Sequence, residues 1–247
     1  RAEVGDLPAW SAPLPAVAQV DADHCNGCRR CFEDCPYAAV TMVPHPNRRV
    51  GRELAVVHAD LCAACGICAG ACPSSTPFRR ASELVTGIDM PDLTVHALRE
   101  RLRQGLARLR AAGVARPIVA FCCEQGVAAH EVQAADVLAL DLLCTGMLAP
   151  SFVNYALRDG AAGVLVSGCC EGGCEFRLGQ RLADERLRRA REPHLQVDVP
   201  PQRLATAWAP AGQPQSVLAE LQAFRQRLQA LAPPESPESS SLESVHV

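Results

Sequence analysis

The sequence predicts two folded parts: a small α+β module, and after it a three-layer α/β domain with a mainly parallel sheet. Two patterns predict this architecture. An internal repeat at an offset of 37 residues occupies the early part of the chain, and short β-branched runs alternating with helical segments follow Gly113. With 247 residues, the chain is long enough to build two small hydrophobic cores.

The repeat contains eight of the fourteen cysteines. Three thiols at intervals of three residues can wrap one loop around three corners of an iron–sulfur cube, while the fourth points toward the other unit. Zinc is the alternative, because Cys-x2-Cys pairs also bind zinc, but a zinc site has no use for a third cysteine at the same interval. Each unit reads Cys-x2-Cys-x2-Cys-x3-Cys-Pro, first at Cys25, Cys28, Cys31 and Cys35, then at Cys62, Cys65, Cys68 and Cys72.

The region predicted as a domain at residues 16–80 resembles the two-cluster bacterial ferredoxins, which carry this cysteine run twice and transfer single electrons. The resemblance implies a ferredoxin-like module with short strands at residues 41–43 and 53–57. An insertion at residues 47–52 widens the turn between its halves. The module would hold two [4Fe–4S] clusters, one on Cys25, Cys28, Cys31 and Cys72, the other on Cys62, Cys65, Cys68 and Cys35.

Residues 81–116 read as a linker with an amphipathic helix, because Leu98, Leu102 and Leu106 recur at helical spacing ahead of Gly113. Residues 1–15 are expected to be an extended, Pro-containing lead-in. Residues 233–247 are expected to be a disordered tail with little to bury.

In the second domain we predict strands at residues 118–121, 137–143, 164–166 and 204–208. We predict helices at residues 127–135, 151–158 and 177–191, and a further helix after a cap at Ser216.

The six remaining cysteines follow these predicted strands. Because the carboxyl ends of parallel strands meet at one edge of a sheet, we expect the thiols to converge on a metal site. The alternatives are free thiols packed in a core and a dithiol redox centre, although no Cys-x2-Cys pair remains in this half. A dinucleotide site is disfavoured, since no Gly-x-Gly-x-x-Gly run follows the first strand. The six are Cys122, Cys123, Cys144, Cys169, Cys170 and Cys174.

Residues 117–232 resemble the delta, iron–sulfur subunit family of methyl-viologen-reducing hydrogenases. The likeness lies in residues 117–123, the Leu-Cys-Thr-Gly step at residues 143–146 and the run GVLVSGCCEGGC at residues 163–174. It implies electron passage between a hydrogenase and a flavin-containing heterodisulfide reductase subunit. It also implies one [2Fe–2S] cluster on Cys123, Cys144, Cys169 and Cys174, with Cys122 as an alternative to Cys123 and Cys170 as an alternative to Cys169.

Composition excludes several classes of function. A net charge of -3 and a pI near 6.2 leave no overall basic field for nucleic acid, and no apolar stretch reaches the length of a membrane span. No carboxylate pair, Ser/His/Asp set, P-loop or flavin motif is found, so we expect no substrate-converting site and no direct small-molecule substrate. Without an export signal pattern, a cytoplasmic location is expected, with attachment to a membrane through a complex left open.

We therefore expect an electron-transfer subunit of an oxidoreductase complex. It would relay single electrons between a low-potential donor or acceptor and a flavoprotein or hydrogenase partner. Two alternatives are a redox- or oxygen-sensing iron–sulfur protein and a carrier for a membrane complex of b-type cytochrome and quinone. The Arg-rich helix at residues 99–110 is either a solvated face or a docking surface for an acidic partner.

Overall fold

The computed structural model describes residues 16–78 and 86–231, so the predicted lead-in, tail and last residue of the second domain lie outside the described residues. In the first module β2 (Val40–Pro44) pairs antiparallel with β3 (Glu53–Val57). The short strands β1 (Gln19–Val20) and β4 (Ile88–Asp89) also form an antiparallel pair. These strands confirm those expected at residues 41–43 and 53–57.

The sequence repeat is also a backbone repeat. Helices α1 (Arg30–Asp34) and α2 (Ile67–Ala71) occupy positions 37 residues apart, and each follows a residue in the left-handed region, Arg29 with φ 68° and Gly66 with φ 74°. Two residues earlier, Gly27 and Ala64 also share that region. The two cysteine loops therefore have the same conformation, although glycine occupies a different one of the two left-handed positions in each.

Helix α3 (Val95–Ala111) confirms the helix predicted in the linker. The Thr94 side chain accepts a hydrogen bond from the Ala97 N–H at 3.0 Å, which caps the first turn. Gly113, with φ 76°, follows its end. Leu102 and Leu106 are fully buried on the side of α3 that packs against the second domain.

The second domain contains the predicted parallel sheet, with strand order β6-β5-β7-β8. The strands are β5 (Ile118–Cys123), β6 (Val137–Leu142), β7 (Gly163–Cys169) and β8 (Leu204–Ala209). Strand β7 extends to Cys169, beyond the predicted end at residue 166, because it continues pairing with β8 up to Ala209. Its neighbours on both sides keep it entirely buried.

After α3, the described part of the second domain contains four more α-helices: α4 (Ala129–Val132), α5 (Ser151–Arg158), α6 (Gly179–Leu187) and α7 (Pro214–Gln229). Helix α5 matches its prediction. Helix α6 is shorter than predicted because Arg177 and Arg189 take left-handed backbone conformations on either side of it. Helix α7 starts at Pro214, so Ser216 is not its cap as predicted; proline suits a first turn because its missing N–H would lack a helical partner there.

Helix α4 is four residues long, where nine were predicted. The Gln133 side chain accepts a hydrogen bond from the Ala139 N–H at 3.0 Å and donates to the Val137 carbonyl, which turns the chain into β6. Local side-chain bonds of this kind compete with helix continuation.

Apolar residues are buried on both faces of the sheet. Phe121 and Val166 face Phe152 of α5, with α3 on the same side, whereas Leu165 faces Phe224 of α7 on the other side. Helices therefore cover both faces, and the carboxyl edge of the sheet is left to the loops that carry cysteines. Among the described helices, none is both long and apolar enough to cross a membrane.

Candidate metal centres

The first cysteine set lines a cavity next to α1. Its walls hold three cysteines of the first repeat unit and the fourth cysteine of the second, in the exchanged arrangement that the motif implies. Ala55 and Ile88 complete an apolar floor. We call this the outer cavity, lined by Cys25, Cys28, Cys31 and Cys72.

The reciprocal set lines a second cavity next to α2. Val40, Ile67 and Met90 form its buried apolar walls. We call this one the inner cavity, lined by Cys35, Cys62, Cys65 and Cys68.

The electrostatics of both cavities suit a positively charged metal group. Burial raises the pKa of Cys31 to about 12 and that of Cys65 to about 11, and it also raises the pKa of Cys68 well above its usual value. Thiolates in these cavities therefore need a compensating cation, which metal binding supplies. The backbone N–H groups of Phe32 and Ile67 lie at the Cys31 and Cys65 sulfurs and favour their ionised forms.

In the second domain, four of the six cysteines meet at the carboxyl edge of the sheet. The Cys123 and Cys169 sulfurs are 3.9 Å apart, and Cys144 and Cys174 lie within hydrogen-bonding reach of the same group. Cys123 and Cys169 end β5 and β7, while Cys144 follows β6. We call this group the thiol quartet, Cys123, Cys144, Cys169 and Cys174.

The other two cysteines do not join the quartet. Cys122 is buried on the opposite face of the sheet, in the core that contains Val127 and Val217. Successive residues of a strand point to opposite faces, so Cys122 and Cys123 cannot both face the site. Cys170 is half-buried, outside the set of mutual thiol contacts that the structure shows.

Proton sharing within the quartet shows how crowded its sulfurs are. Contact with the Cys144 thiol, and then with Cys169, lowers the pKa of Cys123 and that of Cys174. The same contacts raise the pKa of Cys144 and Cys169. The four thiols therefore titrate as one group, and a bound cationic centre would let all four ionise together.

The cysteine sulfurs of the repeat are distributed around the outer and inner cavities and do not meet at one point. In residues 16–78 and 86–231, no three His, Cys, Asp or Glu side chains are placed to hold a single metal ion. The eight cysteines of the repeat line two cavities with four thiols each, and four thiolates are the ligand set of a [4Fe–4S] cluster. The residues present therefore fit iron–sulfur clusters.

The inner cavity and the thiol quartet share a wall. Cys65 and Ile67 pack in one apolar cluster with Cys144, and Tyr37 and Cys174 pack against that cluster. The Arg177 guanidinium lies 4.8 Å from the centre of the Tyr37 ring and donates a hydrogen bond to the Pro36 carbonyl at 3.1 Å. The two sulfur sites are therefore separated by packed side chains rather than by solvent.

A buried ion pair joins the two parts of the chain beside this wall. Arg186 of α6 is fully buried; it donates to Asp34 of α1 at 2.5 Å and to the Gly146 carbonyl at 2.7 Å. Arg191 donates to the other Asp34 oxygen at 2.8 Å. Asp34 lies between two cysteines of the repeat, and Gly146 is two residues from Cys144, so Arg186 connects the loops that carry both kinds of site.

Two glycines let the backbones approach at the same junction. A Cβ atom on Gly70 of α2 would lie 2.2 Å from the Gly146 carbonyl oxygen, and one on Gly146 would lie 2.8 Å from a side-chain carbon of Ile67. No larger residue fits at either position without movement of the backbone. Close packing at this point brings α2 and the Cys144 loop together.

Sequence reasoning did not find this junction. Arg186 and Arg191 were part of a predicted helix with many arginines, and Asp34 was one of several acidic residues near cysteines. Spacing along the chain carries no signal for an ion pair between residues 152 positions apart. The glycine at position 70 was the one available clue, because its repeat equivalent is Glu33.

Comparison with known proteins supports the two-part organisation. Residues 118–232 match the family model of the methyl-viologen-reducing hydrogenase delta subunit, and residues 24–76 match a 4Fe-4S dicluster domain. The second match supports [4Fe–4S] clusters in the first module.

Individual relatives belong to heterodisulfide reductases and hydrogenases. The chain is 28% identical over 231 residues to a ferredoxin:CoB-CoM heterodisulfide reductase polypeptide of Methanosarcina mazei, covering 89% of this chain but 26% of that protein. It is 27% identical over 124 residues to an F420-non-reducing hydrogenase iron-sulfur subunit of Methanocaldococcus jannaschii, covering 47% of this chain and 92% of that protein. The chain thus spans about a quarter of the first relative. The chain thus joins a 4Fe-4S dicluster domain to a region, residues 118–232, that is similar to the methyl-viologen-reducing hydrogenase delta subunit.

Proposed function

We propose that the chain relays single electrons between a low-potential redox partner and a flavoprotein or hydrogenase component of a larger complex. The observation that carries this proposal is the wall shared by the inner cavity and the thiol quartet, formed by Tyr37, Ile67 and Cys65. When bound, iron–sulfur clusters supply one-electron oxidation and reduction at potentials set by hydrogen bonds and solvent exposure. A relay needs such sites held close together and rigidly.

The proposed ligands are the three sulfur sets described above. The outer and inner cavities would each hold one [4Fe–4S] cluster and the thiol quartet one [2Fe–2S] cluster. For the quartet, Cys123 and Cys169 are preferred to Cys122 and Cys170 because of where their sulfurs lie.

The protein's own residues give this relay an order. Arg186 and the Gly70–Gly146 contact place the inner cavity against the quartet, so the inner cavity is the intermediate site. The outer cavity includes the exposed Cys28 and is the terminal site of the first module. Electrons would then pass between the outer cavity, the inner cavity and the quartet in sequence.

The names of the relatives suggest the partners. One is part of a heterodisulfide reductase and another is part of a hydrogenase, so we propose that a flavoprotein or hydrogenase polypeptide binds the second domain. Because the cysteines are unpaired and free thiols persist in a reducing compartment, we propose that this relay works in the cytoplasm. Anaerobic co-purification tests the proposal: a flavoprotein or hydrogenase supports it, whereas a b-type cytochrome would favour the membrane alternative.

Metal content and spectroscopy test the ligand sets. Three clusters predict about ten iron atoms and ten sulfide ions per chain. A protein whose cysteines bind zinc instead would contain neither iron nor sulfide. Cys123→Ser should abolish the EPR signal of the reduced [2Fe–2S] cluster, and the matched variant Cys122→Ser should retain it. An unchanged signal in Cys123→Ser would show that our ligand assignment is wrong.

Repeated redox cycling separates a relay from a sensor. A relay should keep its iron through many anaerobic cycles of reduction and oxidation, because only electrons move. A sensor that responds by losing its cluster should release iron during oxidation. Measuring iron retained by the protein after each cycle therefore distinguishes these two functions.

A further inference from the structure

The outer cavity lies near an exposed surface of the first module. Cys28 is exposed, while its neighbours Cys25 and Cys31 are buried. Phe32, one residue beyond Cys31, has 42% of its surface exposed, which is unusual for a phenylalanine. The second domain packs against a wall of the inner cavity, and its residues 190–192 border only one side of Cys28, which itself stays exposed. A partner protein that exchanges electrons with the first module therefore has its shortest approach at the Cys28 side.

The insertion at residues 47–52 lies directly beside this exposed loop. A Cβ atom on Gly51 would lie 2.9 Å from the Asn26 carbonyl oxygen, and one on Gly27 would lie 2.3 Å from the Glu53 carbonyl oxygen. The turn is ordered by the Asn47 side chain, which accepts a hydrogen bond from the Arg49 N–H at 3.1 Å. The hairpin end between β2 and β3 thus forms one edge of the surface around Cys28.

That edge is positively charged. Arg48, Arg49 and Arg52 are all exposed on the insertion, and Arg48 donates to the Arg52 carbonyl at 3.1 Å. Arg29 stands on the cysteine loop, with its guanidinium 5.7 Å from the centre of the Phe32 ring. Its nearest carboxylate is Glu53, at 3.6 Å.

We define the basic rim as Arg29, Arg48, Arg49 and Arg52 around Cys28 and Phe32. Counting Arg30 as well, five arginines face three carboxylates around Cys28 and Phe32, those of Glu33, Glu53 and Glu192, so the local charge is positive although the whole chain has a net charge of -3. A local charge opposite to that of the molecule as a whole orients an approaching partner toward one place. Exposed arginines beside an aromatic ring are also typical of protein interfaces.

We propose that the basic rim is the docking surface for a one-electron carrier protein with an acidic surface. This inference rests on the proposed relay function, because it names the partner of the outer site. In one encounter the carrier would lose one electron and this chain would gain one, or the reverse, with no covalent bond made or broken. The rival surface is the exposed arginine face of α3, which sequence analysis singled out.

Charge reversal at the two surfaces tests the proposal. The test variant is Arg48→Glu/Arg49→Glu/Arg52→Glu, and the matched control is Arg101→Glu/Arg103→Glu/Arg108→Glu on α3, with the same change in net charge. The probe is a reduced acidic two-cluster bacterial ferredoxin, mixed anaerobically with the oxidised, cluster-loaded protein in a stopped-flow spectrometer. All six side chains are exposed, so neither variant disturbs a core.

The rim variant should be reduced about 10- to 100-fold more slowly than wild type at low ionic strength, and its rate should depend less on salt. The α3 variant should behave like wild type. Equal rates in the rim variant and wild type, or a loss confined to the α3 variant, would overturn the proposal.

A second readout separates failure of docking from failure of the relay. Reduced methyl viologen, a small cation that needs no protein interface, should reduce the rim variant at least as fast as wild type, with unchanged iron content and EPR signals. If viologen reduction of wild-type protein gave no cluster signals, the relay function itself would be wrong. A neutral variant, Arg48→Gln/Arg49→Gln/Arg52→Gln, should have an intermediate rate if charge is the cause.

Discussion

Replacing Arg186 by Met should loosen the junction between the two parts of the chain while leaving each part folded. Methionine keeps much of the apolar stem but removes the donors to Asp34 and to the Gly146 carbonyl. The Asp34 carboxylate, whose side chain is 3% exposed, would keep one partner, Arg191. A buried charge that loses its main partner cannot recover the loss from solvent.

The size of the effect follows from this geometry. Breaking a buried ion pair by removing one partner costs about 3 to 5 kcal/mol. The lower end applies here, because Arg191 remains and because the Arg186 Nε has no hydrogen-bond partner among the described residues. About 3 kcal/mol corresponds to an opening equilibrium roughly 100-fold more favourable, since each 1.4 kcal/mol is a factor of ten.

Native-state hydrogen exchange of the anaerobic, cluster-loaded protein measures this opening directly. Amides of residues 144–147 and of α2 should exchange about 100-fold faster in Arg186→Met, while those of α7 should not change. The control is Arg225→Met, which removes an ion pair to Asp136 with distances of 2.7 Å but side chains 27% and 36% exposed. That partly exposed pair is worth about 1 kcal/mol at most, with its effect confined to α7 and residues near 136. Unchanged exchange at residues 144–147 would refute the role of Arg186.

Two further predictions use matched positions in the chain. Gly70→Ala should separate α2 from the Gly146 carbonyl and so weaken the spin coupling that EPR detects between the reduced clusters of the inner cavity and the quartet. Glu33→Ala, at the equivalent exposed position of the first repeat unit, should leave this coupling unchanged. Equal spectra for the two variants would contradict the packing argument. Iodoacetamide should label the half-buried Cys170 of the native protein but not Cys122, whose pKa burial raises to about 12, and mass spectrometry should find Cys122 unlabelled from about pH 7 to 10. Labelling of Cys122 at about pH 8 would place it outside the core.

Cysteine spacing predicted the exchanged arrangement of the first module because each repeat unit is local. Its three closely spaced thiols sit in one loop, and an identical unit 37 residues later has to take the same backbone conformation. The parallel sheet was also predictable, since fully buried strands carry continuous apolar runs. Strand direction predicted that all six cysteines of the second domain converge at this edge; four of them do, whereas Cys122 and Cys170 do not.

The sequence did not decide which of two adjacent cysteines faces the site, or at which residue three of the helices begin or end. Their positions in the sequence do not distinguish Cys123 from Cys122. In the structure the two side chains point to opposite faces of β5, so that Cys122 lies in a core and Cys123 lies beside Cys169. The ends of α4, α6 and α7 were similarly set by single side-chain bonds, left-handed residues and a proline rather than by periodicity.

By itself, the sequence determined the repeat that carries eight thiols and the parallel sheet whose strands are followed by the other six. Tertiary structure alone decided that the inner cavity and the thiol quartet are neighbours. Arg186 and Asp34 are far apart in the chain, and Gly70 contacts Gly146 only when the two parts pack together. Local patterns reflect contacts within a few residues, whereas the junction depends on shape and charge matching between surfaces that exist only after both parts have folded.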